Sequence, residues 1–364
     1  MVNQTKDSIR IVNNWDLNQV QRDEKLEILN MWETKLGKDD FKTILEICSN
    51  FIYYSEGVTS LAYKDIFNKN NSETPFFEQS LFLPLRRKER IESSVDMFSI
   101  FRLANRIDAN KTHVNGAVDY LEKYKASKEF NSKAIKEFDQ EVVKGEVSIH
   151  GLQTKLEAYR ANRKIRSSIE KQISKLQAIK ARKKERIDKS IKEFHQNYYS
   201  IKNLIIIDDF IGTGDSVVQF LKKLDKTIRE SKITINLFLW VIEASESGME
   251  AIEDTVKELE IEIHISFYKK TIDVLAGDII FSRDNIEEVK ALIEKVNKQN
   301  RLKPSPYCKN HAIASFVNAP NNNLTLLSEE SPTWKALFLR TKRNKVEREV
   351  SIKDMRDTYQ YLRE

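Results

Sequence analysis

The stretch that most constrains this chain is NLIIIDDFIGTGDS, Asn203 to Ser216. Its apolar run, Leu204 to Ile207, is too short for a helix and has the composition of a strand covered on both faces. Two carboxylates, Asp208 and Asp209, stand where that strand should run out. A loop holding Gly212 and Gly214 follows, and Val217, Val218, Phe220, Leu221 and Leu224 then repeat at helical spacing.

Open α/β sheets bind ligands beyond the carboxyl ends of their strands, and a loop entering a helix offers free N–H groups and the positive end of a dipole to an anion. Phosphate suits such a place. Gly212 and Gly214 let the backbone approach closely, Thr213 and Ser216 add hydroxyl donors, and the acidic pair can accept hydrogen bonds from a vicinal diol. A phosphorylated ribose carries both features. The plain alternative is a parallel strand that ends in acidic residues, with glycines that serve only the turn.

At Leu204 to Ser216 the chain resembles the type I phosphoribosyltransferases, whose signature is a hydrophobic strand, two acidic residues, a short spacer and Thr-Gly, then Thr or Ser. The resemblance implies that Asp208 and Asp209 are the catalytic acids holding the ribose 2′ and 3′ hydroxyls of phosphoribosyl pyrophosphate. It also implies that Gly212, Thr213, Gly214, Asp215 and Ser216 cradle the 5′-phosphate. Mg²⁺ would be held chiefly by the ligand's phosphate oxygens and by no protein site alone. Asp215 departs from the pattern, since the family commonly has Gly there. A carboxylate aimed at phosphate would repel it, so this side chain must face away or the site is altered.

Other features set bounds. Five histidines and two cysteines, Cys48 and Cys308, show no metal-ligand spacing, so no protein-held zinc is expected, and the cysteines read as reduced and structural. No apolar run approaches the roughly 18 residues of a membrane span, and the N-terminus lacks a signal-peptide core. A soluble, unexported, cytoplasmic protein without membrane contact is the expectation.

In chain order, residues 1–75 read as a helical N-terminal region. Residues 76–112 and 200–300 read as a phosphoribosyltransferase-like α/β core with a mainly parallel sheet. Within it, Ser80 to Leu85, Ile233 to Ile242 and Ile261 to Phe267 are predicted strands, and Gly248 to Leu259 and Asp284 to Val296 are predicted helices. After the first strand comes a basic loop, Arg86, Arg87, Lys88, Glu89 and Arg90, leading to a helix start at Ser93 and Ser94. Arg86, Arg87, Lys88, Ser93 and Ser94 are the candidates for pyrophosphate, since cations beside a helix N-terminus suit a polyanion. A solvated basic turn is the alternative.

Residues 113–199 nearly lack glycine and proline and read as a helical hairpin, with a reversal predicted at Gly145 to Gly151. Between Arg163 and Lys192, twelve Lys or Arg face three acidic residues, a local excess of +9 in a chain of net charge +6. Lys180, Arg182, Lys183, Lys184 and Arg186 are the candidates for contacts to the phosphates of DNA or RNA. A solvated face, or a coiled coil pairing two copies of the chain, would carry the same pattern. In type I phosphoribosyltransferases a mobile loop occupies this interval, so the hairpin would replace or extend a lid.

Residues 301–364 read as a hood-like C-terminal segment. Pro320 to Asn323 is a strong turn signal. Phe316, Asn318, Pro320, the asparagines, Trp334, Leu337, Phe338 and Arg340 together resemble a branch of phosphoribosyltransferase-like proteins from bacterial antiphage conflict systems, some encoded beside retron reverse transcriptases. That likeness implies an effector that captures or consumes phosphoribosyl pyrophosphate or a related nucleotide, with a reverse transcriptase and its msDNA as partners. Trp334 either stacks on a base under the hood or is buried in the core. The competing reading is a regulatory or assembly protein that keeps the pocket without turnover. Glu243 and Glu246 are the nearest candidates for a general base.

Overall fold

The computed structural model describes residues 6–70, 74–86, 93–259 and 261–341. Its main sheet is four parallel strands in sequential order, β2 (Ser80–Pro84), β3 (Asn203–Ile211), β4 (Asn236–Ser245) and β5 (Ile263–Thr271). The β2–β3 register starts at Ser80↔Asn203 and the β3–β4 register at Asn203↔Asn236. β3 lies inside the sheet with helices on both faces. Leu204 and Ile206 join the core beneath α9 (Asp215–Ser231) and α10 (Glu246–Glu258), and Ile205 and Ile207 join that beneath α4 (Glu56–Asn70) and α6 (Ser93–Ala104). Each fully buried aliphatic side chain contributes about 1.5–3 kcal/mol. β3 also runs further than the apolar run predicts. Asp208 pairs with Val241, Phe210 with Glu243 and Ile211 with Ala244, so both carboxylates lie within the paired strand.

A second core joins the two ends of the chain. Helices α1 (Lys6–Asn13), α2 (Gln19–Leu36) and α3 (Lys38–Ser49) pack with α11 (Arg283–Gln299), α12 (Thr325–Ser328) and residues 312–338. Between them, two three-residue strands, β1 (Ile52–Tyr54) and β6 (Ile313–Ser315), pair in parallel. The N-terminal and C-terminal regions therefore share one interior. α11, expected on the main sheet, buries Ile286, Val289, Ile293 and Val296 in this second core instead. α4 does the reverse, placing Ala62, Tyr63 and Ile66 on the main sheet.

The hairpin consists of α7 (Gly116–Ala158) and α8 (Arg163–Phe194). The predicted reversal at Gly145 to Gly151 does not occur, because α7 continues through both glycines and the chain turns at residues 159–162. An isolated glycine costs a helix only about 1 kcal/mol, and no proline accompanies these two. Asn162 caps α8 by accepting from the Ile165 amide at 3.3 Å. At 1.5 Å per residue the arms are about 64 and 48 Å long. Ile169 is buried in the seam, while Ile173, Leu176, Ile187 and Ile191 on α8 and Phe138, Val142, Ile149 and Leu152 on α7 are half-buried. A Cβ on Gly145 or Gly151 would meet nothing within 4 Å. Gly145→Ala and Gly151→Ala should therefore each stabilise the arm by about 1 kcal/mol, read as slower amide exchange across α7. Faster exchange in either variant would place a turn there.

Candidate functional site

β3 delivers Asp208 and Asp209 to the carboxyl end of the sheet, and α9 begins at Asp215. Gly214, at φ 79°, is the N-cap and no side chain caps the helix. Among the described residues, the amides of Thr213 to Val217 donate to no acceptor, while the Val218 amide donates to the Gly214 carbonyl at 2.9 Å. The loop thus keeps open the donors that an anion requires. Thr213 is half-buried and Ser216 exposed, at the mouth of the turn. Asp215 is also exposed and sits in the first turn of α9, where a negative charge complements the dipole.

Close packing sets the shape of this loop. A Cβ on Gly214 would come 2.7 Å from the Gly248 carbonyl oxygen, and its left-handed backbone also favours glycine. A Cβ on Gly248 would overlap the Gly212 carbonyl, and one on Gly212 would overlap the Asn322 amide. Ser245 fastens the arrangement: its hydroxyl donates to the Gly212 carbonyl and accepts from the Gly248 amide at 3.0 Å, capping α10.

The two acids differ. Alternation along β3 sends Asp208 to the side of Leu204 and Ile206, and Asp209 to the side of Ile205, Ile207 and α4. Asp208 is buried, and its carbonyl accepts from the Tyr63 hydroxyl at 2.9 Å. Asp209 is half-buried; Oδ1 accepts from the Phe210 amide at 2.8 Å, and Oδ2 takes part in no hydrogen bond among the described residues. Burial first, then the charges of Asp209 and Asp208, push the Tyr63 phenol well above its ordinary pKa, so it stays a donor.

Glu243, from β4, is fully buried and accepts from the Tyr54 hydroxyl at 2.6 Å. Its Oε2 has no hydrogen-bond partner among the described residues, with the Thr271 side chain nearby. Burial raises its pKa, and the Tyr54 bond, the nearby Thr271 side chain and the charge of Lys269 oppose the rise. Glu246 is exposed at the start of α10 and pairs with Lys270 at 3.2 Å. Tyr63, Tyr54, Ser245, Gly248 and Asn322 reach the site as single residues from four separate segments. Of these, Asn322 falls in the predicted Pro320 to Asn323 turn and Gly248 at the start of a predicted helix; the other three carried no signal in the sequence.

The C-terminal segment closes against this loop. Asn322 is buried, and its Nδ2 lies 2.7 Å from His311 Nδ1. Asn323 stitches the segment to β6, accepting from the Ile313 amide at 3.2 Å and donating to its carbonyl at 2.5 Å. Burial, with a smaller contribution from Lys309, depresses His311 to about 4, so the ring is neutral near pH 7 and its Nδ1 can accept from Asn322.

The remaining expected positions fall elsewhere. Arg86 Nη1 donates to Asn115 Oδ1 at 3.2 Å and to the Val114 carbonyl at 3.4 Å, at the start of α7. Arg87 and Lys88 lie outside the described residues. Ser93 opens α6, and the buried Ser94 hydroxyl donates to the Leu85 carbonyl at 2.5 Å. Trp334 is 1% exposed, stacks on Trp32 with centroids 4.7 Å apart, and donates to the Leu326 carbonyl at 2.8 Å. Its burial is the core alternative rather than an open stacking platform. The Cys48 thiol is buried and pushed up to about 12, which makes it inert.

The expected one-signed charge on α8 is partly compensated, since Lys180 pairs with Glu146 at 3.0 Å and Lys183 with Glu141 of α7. Arg182, Lys184 and Arg186 are exposed.

His311 generates a pH prediction. Its folded pKa lies below the ordinary 6.5, so its contribution to stability is complete above about 6.5 and is lost as pH falls through about 4. The loss should be roughly 3 kcal/mol across that window. Denaturant titrations of His311→Gln should show a flatter pH dependence than the parent; parallel curves would remove the assignment.

The family model described as PRTase-CE matches residues 12–340. No curated protein and no solved structure matches the chain. With nearly the whole described chain inside that match, and a parallel sheet carrying the acidic pair and glycine loop, the chain belongs to the PRTase-CE family and is phosphoribosyltransferase-like.

Proposed function

We propose that the chain binds a phosphorylated ribose, phosphoribosyl pyrophosphate or a related nucleotide, at the β3–α9 loop. The observation that carries this reading is the uncapped N-terminus of α9, whose first amides and the Asp209 Oδ2 just before them have no hydrogen-bond partner among the described residues. The 5′-phosphate sits on the amides of Thr213 to Val217, with the Thr213 and Ser216 hydroxyls at its edge. Asp209 accepts from a ribose hydroxyl, and Asp208 shapes the site from the other face of the strand. Tyr63 holds β3 in register under both acids through its bond to the Asp208 carbonyl.

If the site turns over, C1′ becomes oxocarbenium-like as pyrophosphate leaves, and nearby carboxylates stabilise that charge. Mg²⁺, coordinated mainly by the ligand's phosphate oxygens, supplies neutralisation of the leaving group when bound. Glu243 is sealed beneath Tyr54 and Glu246 is paired with Lys270, so neither presents a free base to an acceptor. That feature favours a second reading, in which ligand capture regulates assembly without turnover.

The antiphage role, with a reverse transcriptase and its msDNA as partners, belongs to this proposal and rests on the Phe316 to Arg340 segment. So does self-association through the hairpin. Calorimetric titration with phosphoribosyl pyrophosphate and Mg²⁺ tests the core of it. Asp209→Asn should weaken binding roughly 10- to 100-fold, the cost of about 1–3 kcal/mol for one charged hydrogen bond, with the fold intact by circular dichroism. Undiminished affinity in an Asp208→Asn, Asp209→Asn double variant sinks the site, and release of pyrophosphate by the parent separates turnover from capture.

A further inference from the structure

The pairing of α7 and α8 distinguishes two sets among the cations of α8. Lys180 and Lys183 flank the apolar seam and are neutralised by Glu146 and Glu141. Lys164, Lys171, Lys175, Arg182 and Arg186 follow one another at intervals of seven, four, seven and four residues. At about 100° per residue, these intervals keep all five within about 60° of one another, centred about 130° round the helix from the seam. All five are exposed, and among the described residues none of them forms an ion pair.

The same geometry places Glu170, Glu185 and Asp188 outside that arc and leaves Ser168 as the one other residue on it between Lys164 and Arg186. The result is a straight basic rail about 33 Å long, running from near the hairpin tip toward its root. α8 contains neither glycine nor proline, so the backbone of the rail is already ordered.

We propose that this outer face of α8 grips the phosphate backbone of a double-stranded nucleic acid without reading its sequence. Duplexes carry a charge every ~1.7 Å along the axis, so a rail of this length is opposed by phosphates along all of it. Single strands are held by aromatic platforms, and α8 has none before Phe194, at its last residue. Membrane-surface helices need an apolar face to bury in the lipid boundary, whereas the apolar stripe of α8 is committed to α7. The rail is separate from the β3–α9 loop, so the inference does not depend on the sugar-phosphate reading.

Fluorescence anisotropy with a labelled 30-base-pair DNA duplex, the matching RNA duplex and single strands of equal length tests this, using the full chain. Five neutralised phosphates predict log K falling with log salt at a slope of about −4.5, roughly 500-fold between 50 and 200 mM. A Lys164→Gln, Lys171→Gln, Lys175→Gln, Arg182→Gln, Arg186→Gln variant should lose that slope while keeping its helicity. Lys180→Gln with Lys183→Gln should bind within about threefold of the parent, as should Asp209→Asn. DNA and RNA duplexes bound alike, or one preferred, both agree with backbone gripping and identify the natural duplex. An unchanged slope in the five-site variant, an equal loss in the paired-lysine variant, preference for single strands, or binding only to phosphatidylserine vesicles would overturn the proposal.

Discussion

Everything at the candidate site depends on β3 being buried on both faces. Leu204 to Ile207 are each 0% exposed, so the strand can neither slide nor rotate without exposing core side chains on one face or the other. A slip of one residue would exchange Asp208 with Asp209 across the sheet. Register fixed by apolar burial is what turns two adjacent carboxylates into two distinct environments, one sealed and one partly open.

The loop beyond the strand is held by contact rather than by charge. Gly212, Gly214 and Gly248 approach closely because none has a side chain, and Ser245 joins the β3 turn to the start of α10 with one hydroxyl. This leaves the amides of Thr213 to Val217 without acceptors among the described residues. Such an arrangement needs a rigid surround, and the surround comes from both ends of the chain: α1 to α3 and residues 312–338 form one interior whose Trp32–Trp334 stack ties them together.

The parallel sheet, the motif and its helix were legible because each rests on a local pattern. A four-residue apolar run, alternating strand and helix signals, and a glycine pair are short-range features. The strands β1 and β6 were not legible, since three residues carry no period, and their pairing partners lie far apart in sequence. Tyr54 and Tyr63 enter the site through tertiary contacts that no spacing announces, and the turn signal around Asn322 does not tell that its amide presses on Gly212. Gly145 and Gly151 misled because a glycine cluster ordinarily marks a turn, yet the flanking helix formers and the pairing with α8 outweigh two single-residue penalties. The charge on α8 read as one-signed because acids on α7 become its neighbours only when the hairpin closes.

Asn322 gives the order of synthesis a role. Strand, turn and helix of the glycine loop are all complete well before the ribosome reaches the asparagine that presses on Gly212, and His311 and Asn323 that fix its position are made in the same late segment. A nascent chain therefore holds the acidic pair and the open amides before the wall that shapes them exists. The finished loop requires residues as far along as Asn322 and Asn323, so protein shortened before Asn322 by proteolysis or premature termination lacks that wall even where its main sheet folds.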